Sequence, residues 1–424
     1  MKTFIYPKKE QWQDIVCRPQ FDTENLFDTV GKVLRDVKTG GDDALKMYGE
    51  KFDGILLPDL CVTDEEKAEA TQSVSNELKN AIYIAKNNIE KFHAAQKNDV
   101  KKIEITEGVV CWQKQLPIEK VGLYIPGGTA PLFSTVLMLA VPAKIAGCRE
   151  IVLCSPPAKN GKINPAVIFA ATVAGVDKIF KAGGIQAIGA MAYGTQSIPK
   201  VYKIFGPGNQ YVTAAKQIVG MKDAAIDMPA GPSEVEVIAD HTANPSFVAA
   251  DMLSQAEHGS DSQAILVASS EDIATAVLKE IELQVERLPR KEFALKALAN
   301  SRIIVLNADD IVEFTNLYAP EHLIIETADH NALAERITNA GSVFLGHFTP
   351  ESAGDYASGT NHTLPTNGHA RAYSGVNLDS FMKKITFQEI TQAGINRLGP
   401  TIRVMADNEL LVAHSNAVKL RMNI

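Results

Sequence analysis

Twice along the chain, short β-branched runs alternate with helical segments and close on glycine-rich turns, a rhythm that suits parallel sheets with crossover helices. In the first series, strands are expected near residues 121–125, 150–154, 178–181 and 201–205. The helices between them end at Gly147, Gly175 and Gly194, where glycine suits a left-handed cap. The turns Pro126-Gly127-Gly128, Ala182-Gly183-Gly184 and Gly206-Pro207-Gly208-Asn209 follow three of these strands. They would gather at the carboxyl ends of the sheet, where open α/β folds bind ligands. The second series places strands near 235–239, 264–268, 302–306, 322–325 and 343–345, with helices including 273–285 and 332–337. Two similar units imply a cleft between them. The expected fold class is therefore α/β, with two doubly wound, Rossmann-like lobes, a helical N-terminal segment and a C-terminal tail extension.

Upstream of the rhythm, Thr63 and Glu66 form a capping box, and Leu78, Ile82, Ala85, Ile89 and Phe92 repeat at helical spacing, which predicts one long helix. Between Gly346 and Gly375 the chain is rich in Gly, Ser, Thr, Asn and His, as a functional loop would be. From Ser380 helical patterning returns outside the sheet rhythm, in a tail that packs either on a partner subunit or on its own domain.

The 46% apolar content of 424 residues supplies sizeable cores. With 50 acidic against 42 basic residues the net charge is −8, which repels phosphate backbones and anionic lipid, so neither nucleic acid nor a membrane is an expected partner. The most apolar stretch, residues 131–148, is interrupted by Ser134, Thr135, Pro142 and Lys144 and falls short of a bilayer span. Residues 1–14 are polar and carry no apolar run of a secretory signal, and the five cysteines are odd in number and sparse. Both features fit a cytoplasmic protein with reduced thiols. Eight of the nine histidines follow residue 240, so imidazole chemistry belongs to the second half.

Common fingerprints such as G-x-G-x-x-G, the Walker lysine loop, G-x-S-x-G and H-E-x-x-H are absent. The glycine turns suit phosphate or dinucleotide binding and equally suit plain turn geometry. Gln255 and His258, three apart at a helix end, share a face; they read either as metal ligands or as an imidazole at the helix dipole. Glu321 and His322 stand side by side at the mouth of an apolar strand, as an acid–base pair or as a solvated turn. In the loop 354–362, Asp355 suits a metal and His362 a substrate anion, though Asx turns would also explain them. Glu409 and His414, five apart, lie about 140° around an ideal helix and would meet one ligand only across a bend or from its two sides.

Several long segments in order resemble the histidinol dehydrogenase family over nearly the whole chain. They are Gly122-Leu123-Tyr124-Ile125-Pro126-Gly127-Gly128, Phe205-Gly206-Pro207-Gly208-Asn209, Asp227-Met228-Pro229-Ala230-Gly231-Pro232-Ser233-Glu234, Ser254-Gln255-Ala256-Glu257-His258-Gly259, Pro320-Glu321-His322-Leu323 and the loop from Ser352 to His362. The resemblance implies oxidation of L-histidinol to L-histidine through L-histidinal in histidine biosynthesis, with two NAD and a bound zinc. It implies zinc ligands Gln255, His258, Asp355 and His414, and NAD contacts from Tyr124, Gln186 and Asn209. Substrate would meet Ser233, His322, His362 and Glu409 beside the zinc ligands, with Glu321 and His322 as the catalytic acid–base pair. It also implies a homodimer whose sites are shared. The expected division is residues 1–20 as an N-terminal segment, 21–118 with 228–375 as the lobe carrying the catalytic and zinc residues, 119–227 as an inserted lobe, and 376–424 as a tail reaching the partner subunit. Two other readings remain open: a thiol-dependent aldehyde dehydrogenase using Cys148 or Cys154, and a non-catalytic two-lobed binding protein.

Overall fold

The computed structural model describes residues 1–19, 24–127, 131–228 and 231–422. Gly128 of the first glycine turn and Pro229 and Ala230 of the segment before Gly231 therefore lie outside the described residues. In chain order the strands are β1 (Lys2–Ile5), β2 (Lys102–Thr106), β3 (Val109–Pro117), β4 (Lys120–Tyr124), β5 (Glu150–Ser155), β6 (Lys178–Lys181) and β7 (Lys203–Phe205). They continue as β8 (Ala225–Ile226), β9 (Glu234–Ala239), β10 (Gln263–Ala268), β11 (Arg302–Val305), β12 (His322–Glu326), β13 (Ser342–Leu345) and β14 (Met382–Ile390).

Two parallel sheets bear out the expected rhythm. The first has the order β6-β5-β4-β7-β8, and the second β1-β11-β10-β9-β12-β13. Every residue of β9, β10 and β12 is buried, as expected for strands covered on both faces. In each sheet the chain winds outward from a central strand and then reverses, at β4/β7 and at β9/β12, the pattern of a doubly wound fold.

Helix packing corrects the expected division. The helices Glu24–Gly40 and Asp42–Tyr48 bury Val30, Val33, Leu34, Val37, Leu45 and Tyr48 against Val152, Ile185, Ile188 and Val212 on one face of the first sheet. Asn76–Ala94 buries Ile82, Ala85 and Ile89 with the helix Phe133–Ala146 on the other face. Residues 24–94 therefore belong to the lobe built on 120–226, not to the lobe of 228–375. Residues 2–5 are no separate segment either: they form β1, an edge strand parallel to β11. A stripe of apolar residues tells a helix which face to bury but not against which sheet.

Two further expectations fail locally. The long helix from Thr63 is two helices, Asp64–Ser73 and Asn76–Ala94: Val74 is extended and the Ser75 hydroxyl accepts from the Leu78 N–H, starting a second helix. The tail is not helical throughout, because β14 pairs antiparallel with β3 along its whole length in a three-stranded sheet ordered β14-β3-β2. This strand is mostly exposed, so it lacks the buried alternation that marks a strand in sequence. The helices Gln392–Asn408 and Val412–Met422 follow it. No helix among the described residues is long and apolar enough to cross a membrane.

Candidate active site

A cavity of about 520 Å³ lies between the lobes. One wall is the carboxyl edge of the first sheet, with Pro126 and the turn Gly206 to Gln210, as the glycine turns predict. The opposite wall is the amino edge of the second sheet: Ser233 precedes β9, while Glu321 and His322 stand at the entry to β12. Gln255 comes from the last turn of the helix Pro245–Ala256 and His258 follows it; Asp355 sits on the short helix Glu351–Tyr356, and His362 on the loop beyond.

The fold thus brings together Asn209, Ser233, Gln255, His258, Glu321, His322, Asp355 and His362. Tyr124 and Gln186 are not part of this cavity. The Tyr124 hydroxyl accepts from the Gly184 N–H at 3.0 Å, and burial pushes its pKa up to about 12. Gln186 lines a separate crevice with Asp53 and Lys181. The Asn209 side-chain oxygen caps the helix that follows, accepting from the N–H groups of Tyr211 and Val212. Glu409 and His414 lie across a bend at Leu410 (φ +61), both exposed and away from the cavity of their own chain.

His322 is held from two sides. Its Nδ1 lies 3.2 Å from the Glu234 carbonyl, which can only accept, so Nδ1 carries a proton and Nε2 is left without a partner, 3.6 Å from Asp355 Oδ1. Burial alone would lower the pKa of this imidazole, but Glu351, Glu321 and Asp355 together outweigh it and hold the value well above the ordinary one. Glu321 accepts from the Glu234 N–H at 2.8 Å. His362 donates from Nδ1 to the Asp355 carbonyl at 2.9 Å, while its Nε2 lies 3.1 Å from the Thr135 hydroxyl; burial lowers its pKa.

Sequence reasoning missed Glu351. Its carboxylate is buried, its Oε2 has no partner, and burial pushes its pKa up to about 8. The ligand atoms of His258, Glu351 and Asp355 lie within 4.8 Å of one another. Glu351 and Asp355 are four apart on one helix, a spacing that would have exposed the pair had that segment been read as helical. Also missed was Lys216, whose ammonium lies 2.5 Å from Asp227 and donates to the Gly206 carbonyl, fixing the turn before Asn209. Cys148 and Cys154 are buried outside the cavity, and burial pushes the Cys148 thiol up to about 12, so neither suits a nucleophile.

Fold and site together define a two-lobed α/β protein whose carboxylates and imidazoles gather in a cavity at the lobe junction. The family model for histidinol dehydrogenase matches residues 16–422. The chain is 64% identical over 424 residues to the histidinol dehydrogenase of Bacteroides thetaiotaomicron, covering 100% of this chain and 99% of that protein. It is 52% identical over 418 residues to that of Escherichia coli K12, covering 98% and 95%. The crystal structure of histidinol dehydrogenase from Elizabethkingia anophelis matches with a TM-score of 0.98 at 56% identity, over 100% of this chain and 98% of that one. The chain belongs to the histidinol dehydrogenase family and is an oxidoreductase of histidine biosynthesis.

Proposed function

We propose that the protein oxidises L-histidinol to L-histidine through L-histidinal in the cytoplasm, using two NAD and a zinc ion held by Gln255, His258 and Asp355. The observation that carries this reading is the Gln255 carboxamide: it is fully buried beside the cavity, and neither its oxygen nor its nitrogen has a partner. An amide left so in an interior costs free energy unless a ligand meets it. The imidazole and carboxylate donors of His258 and Asp355 complete a nitrogen and oxygen set that suits zinc. Zinc bound there would orient the substrate's imidazole and amine and offset the carboxylate field that keeps His322 protonated.

His322 Nε2 then accepts the hydroxyl proton as hydride leaves the alcohol carbon. Glu321 takes a proton from the water as its oxygen adds to the aldehyde carbon, and the hydrate anion so formed collapses to the carboxylic acid as the second hydride leaves. NAD supplies the hydride acceptor in each step. Its contacts would be Asn209 on the cavity wall together with Tyr124 and Gln186 behind the glycine turns, where the buried Gln186 Oε1 has no partner. Ser233 and His362 face the substrate.

His414 as fourth zinc ligand and Glu409 as a substrate contact come from a second copy in a homodimer. Exposed Val404, Met405, Leu410 and Val412 on the tail favour that arrangement, since such apolar surface is commonly covered by a partner. The test is to supply zinc-loaded protein with histidinol and NAD. Two molecules of NADH should form per histidinol, activity should fall on chelation, and zinc should restore it. Full turnover in protein shown by elemental analysis to be metal-free would overturn the zinc assignment.

A further inference from the structure

The backbone of Glu234 hydrogen-bonds the side chains of both members of the acid–base pair. Its N–H donates to Glu321 Oε2 at 2.8 Å, and its carbonyl accepts from His322 Nδ1 at 3.2 Å. Its side chain points the other way, away from the cavity, and is gripped by Arg18. Arg18 Nε donates to Oε1 at 2.7 Å and Nη2 to Oε2 at 2.9 Å, a two-point fork. The same Nη2 donates to the carbonyls of Tyr318 at 2.6 Å and Ala319 at 3.3 Å, just before Pro320-Glu321-His322, and the guanidinium lies 4.0 Å from the centre of the Tyr318 ring. Ala319 is held at φ +54, a left-handed conformation costly for alanine, so its neighbours must impose it. The Asn367 N–H also donates to Glu234 Oε1 at 2.6 Å, tying in the loop that follows His362. One buried ion pair therefore fixes the entries to β9 and β12 relative to each other, and neither of its members lines the cavity.

We infer that Arg18 and Glu234 are positioning residues for the oxidation, setting the Glu321 carboxylate and holding His322 with its proton on Nδ1 so that Nε2 meets the substrate. This rests on the reading of Glu321 and His322 as the acid–base pair. A strand register alone would align the backbones. The fork adds the rotational precision that lysine, a point charge, cannot supply.

Arg18→Lys keeps the charge and loses the fork, and Glu234→Gln keeps the shape and loses the charge. In the zinc-loaded enzyme each should lower kcat about tenfold or more while KM for histidinol and zinc content stay within about two-fold, the pattern of an interaction realised in the transition state. The double variant should be little worse than the poorer single one, because the residues act as a unit. A second readout needs no turnover. In protein labelled with ¹⁵N-histidine, His322 should show a ring Nδ1 proton protected from exchange, assigned by its loss in His322→Asn, and both variants should lose that protection. A fall in thermal stability with kcat per folded molecule and the protected proton unchanged would overturn the inference, as would losses that simply add. If the unsubstituted enzyme forms no NADH from histidinol, the parent reading fails, while the Nδ1 proton still decides whether Arg18 and Glu234 set the ring.

Discussion

His322 Nδ1 is committed to the Glu234 carbonyl and Glu321 reaches the same cavity from the neighbouring position, and the proposed mechanism gives the two side chains different protons. Glu321→Gln should slow oxidation of the aldehyde more than that of the alcohol, and His322→Asn should slow the alcohol step by roughly a hundred-fold. Single-turnover measurements started separately from histidinol and histidinal decide this; equal losses in both steps would refute the division. Glu236 shows a different consequence of burial. It lies on β9 behind the site, bonded to the Thr315 hydroxyl, and desolvation raises its pKa to about 8. Below the unfolded-state value both states hold the proton; between that value and about 8 only the folded state does, so stability falls as pH rises. Glu236→Gln should remove this slope, worth at most about 1.4 kcal/mol per pH unit. Urea unfolding of both proteins at pH 5 and pH 8 measures the difference, and parallel losses would rule it out. Of these residues Glu321 and His322 were legible in sequence because their types announce chemistry. Glu351 and Arg18 were not, since a lone carboxylate or arginine acquires meaning only from what the fold sets opposite it.

Elements begin and end where local chemistry requires, and there sequence reads well. Gly147 is the expected left-handed cap and Gly175 also takes positive φ, whereas Gly194, at φ +80 and ψ 149, ends its helix in an extended rather than a left-handed helical conformation. Gly206 is more demanding. It has φ +125, and a Cβ there would stand 2.0 Å from the Tyr124 carbonyl oxygen, so any side chain would drive the turn after β7 away from β4. Gly206→Ala should destabilise the protein by about 1–3 kcal/mol or more and raise KM for NAD more than KM for histidinol, because Asn209 rides on this turn. Calorimetry and initial rates test it; an unchanged KM for NAD would separate the turn from cofactor binding. Ser75→Ala offers a contrast, with a loss near 1 kcal/mol from the helix cap and no change in kcat. Ser75 was overlooked because the apolar stripe runs on past it, and the exposed β14 was overlooked because a strand without a buried face has no period to detect.

For the whole molecule the deciding question is where the tail goes. If Glu409 and His414 complete a neighbour's site, His322→Asn and His414→Asn chains refolded together should complement each other. Random reassortment makes half the dimers mixed, and half of their sites are intact, so about one quarter of wild-type activity should return. Mass spectrometry confirms the mixed dimers; their presence without activity would show that the tail serves its own chain.

The sequence by itself determined two parallel α/β units, the edges of most of their strands, and the residue types that meet between them, because periodicity and turn chemistry act over a few residues. Only the tertiary structure decided that residues 24–94 cover the first sheet, that β1 extends the second, and that the site joins the carboxyl edge of one sheet to the amino edge of the other. These depend on which buried surfaces meet across hundreds of residues. An apolar stripe fixes that a surface must be covered, and only packing chooses what covers it.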